Sequence, residues 1–365
     1  MSPIQPRATR RRILSAGAAA AATTALWSGQ QTTAQTSADA WVEAWIERLS
    51  PTAKVAQLFT VTVADTALTS EETAWLTELK PGGVILVESN IGFAPELRAL
   101  IAAIAATNPE LPPLISVDQE GGPVTRLFSD PVPGPAELAL LPNDEVRDLA
   151  RVRGEFLADF GFAINYAPVA DVAYRPESFM AGRALGADPA TVAAKVAAIV
   201  EGTNLTPVRA TAKHFPGHGR TTVDSHLALP EVDIPFAEWW ETDALPFRGA
   251  VEAGVPLVML GHLLYPAWDR VPSSLSGVVV EVLRDNLQFD GVIVSDDLGM
   301  DALGQIHPFA VVDHAITAGL DCLLYVTPRL PIADLIGYLV DLVETGLVPI
   351  ARIDASLRRL LRLRV

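Results

Sequence analysis

Three of the six histidines in the chain lie within one stretch of fourteen residues, "KHFPGHGRTTVDSH", which runs from Lys213 to His226. The same stretch contains Asp224, two residues before the last histidine. Ammonium, imidazole and carboxylate groups bind metals, transfer protons and hold polar ligands near neutral pH. The stretch therefore predicts a metal site, a sugar site or a polar surface loop.

A metal site is the least favoured of the three. His214 and His218 are four residues apart, a spacing that puts two side chains on one face of a helix. Pro216 and Gly217 lie between them, so the segment is predicted as strand or loop. The one cysteine, Cys322, is far away in the sequence, and no His-x-His or His-Glu-x-x-His pattern occurs. We expect neither a metal nor another cofactor.

Other polar residues stand at the ends of apolar runs along the chain. They are Asp118, Glu120 and Arg126 at or just after the end of the third run, Asp171 and Arg183 at or after the end of the fourth, Lys213 and His214 in the fifth, His262 in the sixth, and Asp296 and Asp297 in the seventh. A single aspartate at such a place is usually a helix N-cap, and His262 taken alone could be an internally hydrogen-bonded histidine. The repetition over five runs favours a site instead. Mixed donors and acceptors around one opening suit a neutral, hydroxyl-rich ligand.

The elements that must position these residues alternate regularly. Strand-like apolar runs occur at 55–63, 82–89, 111–119, 162–172, 210–217, 255–265, 291–298 and 322–327, and helix-like segments between them include 94–107, 143–160, 188–203 and 236–254. Continuous apolar runs are typical of parallel strands covered on both faces. The alternation predicts one (β/α)8 barrel of the TIM type, with irregular first strands and a C-terminal helix. An open doubly wound sheet is the alternative, but no Gly-x-Gly-x-x-Gly turn follows the first run.

Composition limits the partners and the compartment. The net charge is −16, which disfavours nucleic acid and anionic membrane surfaces as partners. The hydrophobic content of 50% is enough for a large core, and the single cysteine excludes an internal disulfide framework. We expect a carbohydrate as the partner and leave the oligomeric state open.

The N-terminus has the pattern of an export signal. Arg10, Arg11 and Arg12 precede an apolar, alanine-rich run at 13–27, and small residues follow as far as Ala40. The run is short for a membrane span, which needs about 20 apolar residues. We predict a signal peptide of the twin-arginine type over 1–40, cleaved near 34–40, and a single barrel domain over 41–365. The mature chain is then exported to the periplasm or beyond the cell, without stable membrane insertion.

Several ordered motifs, "KHFPGHG" followed by "DSH", "VIVSDDLGM" and "DQEGG", resemble glycoside hydrolase family 3, and within it the single-domain β-N-acetylglucosaminidases. The resemblance extends over about residues 50–345. It implies that Asp296 is a catalytic nucleophile, that His226 on a loop is the general acid and base, and that Asp224 orients His226. It also implies a set of residues that hold the sugar, namely Asp118, Arg126, Arg183, Lys213, His214 and His262.

The resemblance implies a retaining exo-hydrolase that acts on terminal β-linked N-acetylglucosamine, such as that of peptidoglycan fragments or chitin oligosaccharides. Pro123, the "RALG" segment and Asn286 depart from the usual family pattern, and the first two could alter the sugar pocket. The alternatives are a β-glucosidase or β-xylosidase, a glycoside phosphorylase, a metal-dependent hydrolase and a non-catalytic sugar-binding protein. Gly217 and Gly219 are expected to let the histidine loop move over the substrate.

Overall fold

The computed structural model describes residues 37–365. The predicted signal peptide therefore lies outside the described residues, except for residues 37–40, which belong to a helix that reaches residue 48. Within the described range, no helix is both long and apolar enough to cross a membrane.

Eight parallel strands form the centre of the molecule. They are β1 (Phe59–Val61), β2 (Gly83–Leu86), β3 (Leu114–Val117), β4 (Ile164–Asn165), β5 (Arg209–Phe215), β6 (Leu257–Leu260), β7 (Val292–Ser295) and β8 (Leu323–Leu324). Each strand pairs with the next in the chain, and β8 pairs with β1. A parallel bridge between Val294 and Cys322, and a hydrogen bond from Ser295 N–H to the Cys322 carbonyl at 3.1 Å, join β7 to β8. The sheet is thus closed, and the prediction of a (β/α)8 barrel is confirmed.

Helices cover the outside of the barrel. They are α1 (37–48), α2 (Pro51–Ala56), α3 (Ser70–Leu79), α4 (Ala94–Ala106), α5 (Pro135–Leu138), α6 (Asn143–Phe160), α7 (Pro189–Thr203), α8 (Phe236–Glu241), α9 (Ala244–Glu252), α10 (Gly277–Glu281), α11 (Pro308–Ala318), α12 (Ile332–Glu344) and α13 (Ile350–Arg362). A π-helical turn, Val282–Asn286, continues α10. The expected C-terminal helix is α13. Strand residues such as Val84, Val258 and Val294 are fully buried, because helices pack on one side of the sheet and barrel side chains on the other.

The strands are shorter than the predicted apolar runs, and three further differences concern how the elements are divided and which strands are irregular. The run 55–63 was expected to be one strand, but its first residues end helix α2, which Ser50 caps with its hydroxyl on the Ala53 N–H and which starts at Pro51. The helix expected over 236–254 is divided into α8 and α9 at Thr242, whose backbone is not helical. The irregular strands are β4 and β8, with two paired residues each.

Candidate active site

The polar residues of the sequence motifs meet at the C-terminal end of the barrel. Asp118 follows β3, Asp171 follows β4, and Asp296 follows β7. The Lys213 ammonium on β5 lies 2.5 Å from Asp118 Oδ1, and His214 Nδ1 lies 2.7 Å from Asp171 Oδ2. Strand order accounts for this, because β3, β4 and β5 are consecutive neighbours in the sheet.

Lys213 and His214 are adjacent in the chain, and both contribute to the site. In a regular strand, adjacent side chains point to opposite faces. Here the pairing of β5 with β6 shifts its register between Ala212 and Phe215, so the ladder is irregular at these two residues. Such an irregularity redirects side chains at the rim of a barrel. Lys213 then reaches Asp118, and His214 reaches Asp171.

Glu120 links the cations of the site. Its carboxylate accepts hydrogen bonds from Arg183 Nη2 at 2.7 Å and Arg183 Nε at 2.9 Å, and its Oε1 also lies 2.7 Å from Lys213 Nζ. Burial raises the pKa of Glu120, but the two cations outweigh it and lower the pKa to about 2. The same attraction raises the pKa values of Lys213 and Arg183 against the effect of their burial. All three groups are therefore ionised at neutral pH.

Asp171 orients the two histidines of the motif. It accepts the backbone N–H of His218 at 2.6 Å, and its Oδ2 lies 2.7 Å from His214 Nδ1. Burial lowers the pKa of His214 well below its usual value, and the Arg183 charge adds to this. The neutral ring that donates from Nδ1 to Asp171 leaves Nε2 as an acceptor, and Arg183 Nη2 lies 3.4 Å from it.

Arg126 is carried by a loop that Gln119 holds in place. The Gln119 side-chain oxygen accepts the backbone N–H groups of Arg126 and Leu127, each at 2.9 Å. Gln119 is itself fixed by reciprocal hydrogen bonds with the side chain of Asn165 on β4. Arg126 is half-buried and lines the cleft, and its Nε has no hydrogen-bond partner in the described part of the chain. Its guanidinium is therefore able to bind a ligand.

Asp296 and Asp297 have opposite environments. The Asp297 carboxylate accepts four hydrogen bonds, from the N–H groups of Gly299, Val326 and Thr327 and from the Thr327 hydroxyl. In the described part of the chain, the Asp296 side chain accepts only the N–H of Asp297, at 2.9 Å, and it is partly exposed in the cleft. Only Asp296 has lone pairs free for a substrate.

The Asp296 carboxylate is strongly acidic. Burial raises its pKa, but the His214 and His262 rings, the Asp297 N–H and the Lys213 ammonium outweigh this and lower the pKa to about 2. Because His214 is itself held in the neutral form, Lys213 is the cation that persists at neutral pH. Asp296 is therefore an anion over the whole physiological range.

His262 is not brought to the cleft. It is fully buried, with Nδ1 2.7 Å from the Ser274 hydroxyl and Nε2 2.8 Å from the Asp297 carbonyl oxygen. Both ring nitrogens are thus occupied within the protein. The expectation that His262 holds a sugar does not fit this geometry, because the ring has no free donor or acceptor to offer. It supports the turn that carries Asp296 and Asp297.

Asp224 and His226 form a pair on the loop after β5. Asp224 Oδ1 lies 2.7 Å from His226 Nδ1 and accepts the His226 backbone N–H at 2.9 Å. This contact fixes the ring so that Nε2 points away from the carboxylate. The His226 side chain is 60% exposed and forms part of the cleft wall.

The two glycines of this loop have roles other than flexibility. Gly217 has φ of +135°, in the region that favours glycine. A Cβ at Gly219 would lie 1.9 Å from the Val172 carbonyl oxygen, so the backbone there packs directly against the segment after β4. Both glycines are buried, whereas Thr222, Val223 and His226 are exposed. The expected freedom of movement therefore cannot be assigned to the glycines.

A cleft of about 580 Å³ opens between Asp118, Arg126, His226 and Asp296, and Arg183, Lys213 and His214 are not among the described residues that line it. Its lining includes Asp118, Arg126, His226, Asp296, Val87, Met259, Met300, Val326 and Arg329. The lining is polar towards β3 and the histidine loop, and towards β7 and β8 it mixes polar residues such as Asp301 and Thr327 with apolar ones. Among residues 37–365, no three His, Cys, Asp or Glu side chains are grouped so that they could hold a metal ion.

The sequence pattern placed Glu120 and Asp171 at strand ends but did not single them out as site residues. Glu120 contacts two of the predicted sugar-holding residues, and Asp171 contacts a third. The available signal was the position of Glu120 in "DQEGG", two residues after Asp118, and of Asp171 after "APVA", near the end of the fourth run.

The closed parallel barrel, with its acidic, basic and imidazole groups gathered at the C-terminal mouth, defines a (β/α)8-barrel enzyme of the kind that acts on polar ligands. The family model described as "Glycosyl hydrolase family 3 N terminal domain" matches residues 52–363. The chain belongs to this family and is a glycoside hydrolase.

Relatives and solved structures agree with this assignment. A "Beta-hexosaminidase" of Pseudomonas aeruginosa is 36% identical over 268 residues, which cover 71% of this chain and 79% of the relative. "Beta-hexosaminidase LpqI" of Mycobacterium tuberculosis is 36% identical over 327 residues, which cover 85% and 82%. A family 3 β-N-acetylglucosaminidase structure from Paenibacillus sp. str. FPU-7 superposes with a TM-score of 0.83 at 33% identity and covers 87% of this chain. The chain spans 62% of that longer protein.

Proposed function

We propose that the chain is a retaining exo-β-N-acetylglucosaminidase, with Asp296 as the nucleophile and His226, oriented by Asp224, as the general acid and base. The observation that carries the proposal is the contrast between Asp296, a strongly acidic carboxylate with free lone pairs in the cleft, and Asp297, whose carboxylate is fully hydrogen-bonded. The relatives named β-hexosaminidase support the choice of an amino sugar.

The terminal sugar is held, in this proposal, by Asp118, Arg126, Arg183, Lys213 and His214. Asp118 is 21% exposed and faces the cleft, so its carboxylate can accept hydrogen bonds from sugar hydroxyls. Lys213 and Arg183 are donors fixed by Glu120, which avoids the loss of entropy that binding to free side chains entails. Such a set of donors and acceptors suits a neutral ligand rich in hydroxyls.

The reaction proceeds in two steps. Asp296 attacks the anomeric carbon and forms a covalent glycosyl ester, while protonated His226 donates its proton to the leaving oxygen. Neutral His226 then takes a proton from water, which attacks the same carbon and releases Asp296. Asp224 keeps the imidazole in the tautomer that presents Nε2 and stabilises its positive charge. Neither step needs a metal.

Export is part of the proposal. Residues 1–40 are proposed to direct the chain through the twin-arginine route, so that it acts on peptidoglycan fragments, chitin oligosaccharides or similar glycans outside the cytoplasm. Replacing Arg10, Arg11 and Arg12 with lysine is expected to retain the chain in the cytoplasm. Fractionation of the producing cells measures this.

The first experiment compares an aryl β-N-acetylglucosaminide with the matching β-glucoside, with and without phosphate and EDTA, using the purified chain and Asp296→Ala. The proposal expects turnover of the acetamido sugar, no effect of EDTA, a free sugar as product, and loss of activity in the variant. A sugar phosphate as product would indicate a phosphorylase. The acceptor is then phosphate, which a neutral histidine repels less than a carboxylate does. Turnover that survives the loss of Asp296 contradicts the mechanism.

A further inference from the structure

The hydrogen bonds of the Asp224–His226 pair do not tie the imidazole to the rest of the site. In the described part of the chain, the side-chain hydrogen bonds of Asp224 and His226 run only within this pair of residues. The pair can therefore move as one unit, and these hydrogen bonds do not aim the imidazole at the cleft.

Phe179 is the aromatic residue beside His226. It lies on the segment between β4 and α7, and its ring centroid is 6.3 Å from that of His226, with an interplanar angle of 62°. This is an edge-to-face arrangement within the usual range for attractive ring pairs. Phe179 thus forms a wall on one side of the imidazole.

Hydrogen bonds hold the segment that carries Phe179 in place. Its backbone N–H donates to the Thr221 carbonyl at 3.0 Å, and the Ser178 hydroxyl donates to the Gly219 carbonyl at 2.8 Å. Both acceptors belong to the stem of the histidine loop, the buried segment 217–221. The stem and the Phe179 segment are therefore held together, while the tip that carries His226 is exposed.

His218 supports Phe179 from behind. Its ring centroid lies 5.1 Å from that of Phe179 and 6.0 Å from that of His214, and the residue is 1% exposed. Neither ring nitrogen has a hydrogen-bond partner in the described part of the chain, so His218 acts here as a packing group. Its backbone is anchored to Asp171, which also holds His214. The rings of His218 and Phe179 thus connect the sugar-holding side of the site with the loop tip.

We propose that Phe179 is a positioning residue for proton transfer, whose ring, supported by His218, sets the direction of the His226 imidazole when the loop lies over the cleft. This rests on the proposed role of His226 as the general acid. Phe179 is not among the described residues that line the cleft, so its effect is expected to be confined to steps in which His226 moves a proton.

The test measures kcat/KM for aryl β-N-acetylglucosaminides whose leaving groups range from 2,4-dinitrophenol, which needs no protonation, to phenol, which does. In Phe179→Leu, kcat/KM is expected to fall about 10-fold or more with the phenyl substrate and much less with the dinitrophenyl substrate. The reason is that small misplacements of a catalytic group lower the rate by up to about 10²-fold. Phe179→Tyr keeps the ring and is expected to restore the wild-type dependence.

Phe156→Leu is the matched control. Phe156 is also partly buried and ring-paired, with Phe160 at 5.3 Å, but it lies on α6 outside the barrel. The Phe156→Leu substitution is expected to leave the dependence of kcat/KM on the leaving group unchanged. Phe179→Met, with an unbranched apolar side chain, is made in parallel, and the result is read from the variant whose melting temperature stays near that of the wild type.

The inference is overturned if kcat/KM of the Phe179 variants falls equally with all leaving groups while that of His226→Ala depends steeply on the leaving group. The assignment of His226 as the acid then still holds. If kcat/KM of His226→Ala also falls equally with all leaving groups, both the assignment of the acid and the inference are overturned.

Discussion

The carboxylates of Asp296 and Asp297 are adjacent in the chain, yet only one of them is free to react. Asp297 is held by the backbone of the Gly299 turn and by Val326 and Thr327 after β8, whereas Asp296 accepts a single hydrogen bond and faces the cleft. A group that is fully hydrogen-bonded to the protein fixes structure, and a group with free lone pairs can attack a substrate. Asp297 therefore anchors the turn that presents Asp296.

The variants Asp296→Asn and Asp297→Asn are expected to separate these two roles. Asp296→Asn keeps its melting temperature and loses activity by on the order of 10⁴-fold or more, since removal of a nucleophile costs losses of this size. Asp297→Asn cannot accept all four hydrogen bonds and is expected to lose on the order of 2 kcal/mol or more of unfolding free energy. Steady-state kinetics and urea unfolding of both variants measure this. A stable, inactive Asp297→Asn beside an active Asp296→Asn would reverse the assignment.

Loss of the proposed acid is expected to depend on the substrate. His226→Ala should reduce kcat/KM by about 10²–10⁴-fold for poor leaving groups and far less for dinitrophenol. In Asp224→Asn, the carboxylate that stabilises the protonated ring is absent. Asp224→Asn is then expected to lose kcat/KM with poor leaving groups, as His226→Ala does, and to keep most of its activity with dinitrophenol. An equal loss with all leaving groups contradicts the role given to Asp224.

The Glu120 cluster is expected to stabilise the fold in a pH-dependent way. The pKa of Glu120 is about 2 in the folded chain against 4.5 ordinarily, so its stabilisation is fully present above about pH 4.5 and is lost as the pH falls towards 2. The shift corresponds to on the order of 3 kcal/mol. Glu120→Gln should therefore be destabilised by about this amount at pH 7, and the difference from the wild type should narrow steadily below pH 4.5. Urea unfolding at pH 7 and pH 3 measures both.

His262 is expected to affect stability more than sugar binding. His262→Ala leaves the buried Ser274 hydroxyl without its partner, which costs about 1–3 kcal/mol, whereas the Asp297 carbonyl keeps the Met300 N–H as a donor. The KM for an aryl N-acetylglucosaminide is expected to change little, in contrast to Asp118→Asn, which removes an accepting charge from the cleft. Thermal melting and initial rates of the two variants decide this. A large rise in KM with an unchanged melting temperature would return His262 to the sugar-holding set.

Much of the fold followed from local patterns. Three of the four segments predicted as helices, 94–107, 143–160 and 188–203, match α4, α6 and α7 to within one residue at each end. At α7, Asp188 caps the Thr191 N–H and Pro189 takes the first position. Errors arose where one apolar run covered two elements. The run 55–63 contains the end of α2 and all of β1, because apolar residues alone do not distinguish a buried helix end from a strand.

The repeating pattern of strands and helices predicted the barrel, and the resemblance to family 3 implied the Asp224–His226 pair. Both are local properties, since the pair spans only two residues. Only the tertiary structure decided which aspartate is free, how Glu120 joins Lys213 to Arg183, and that His262 turns inwards. These depend on contacts between residues far apart in the chain, such as Asp297 with Thr327 and Glu120 with Arg183. Such contacts follow from strand order, register and burial, which exist only once the barrel has closed.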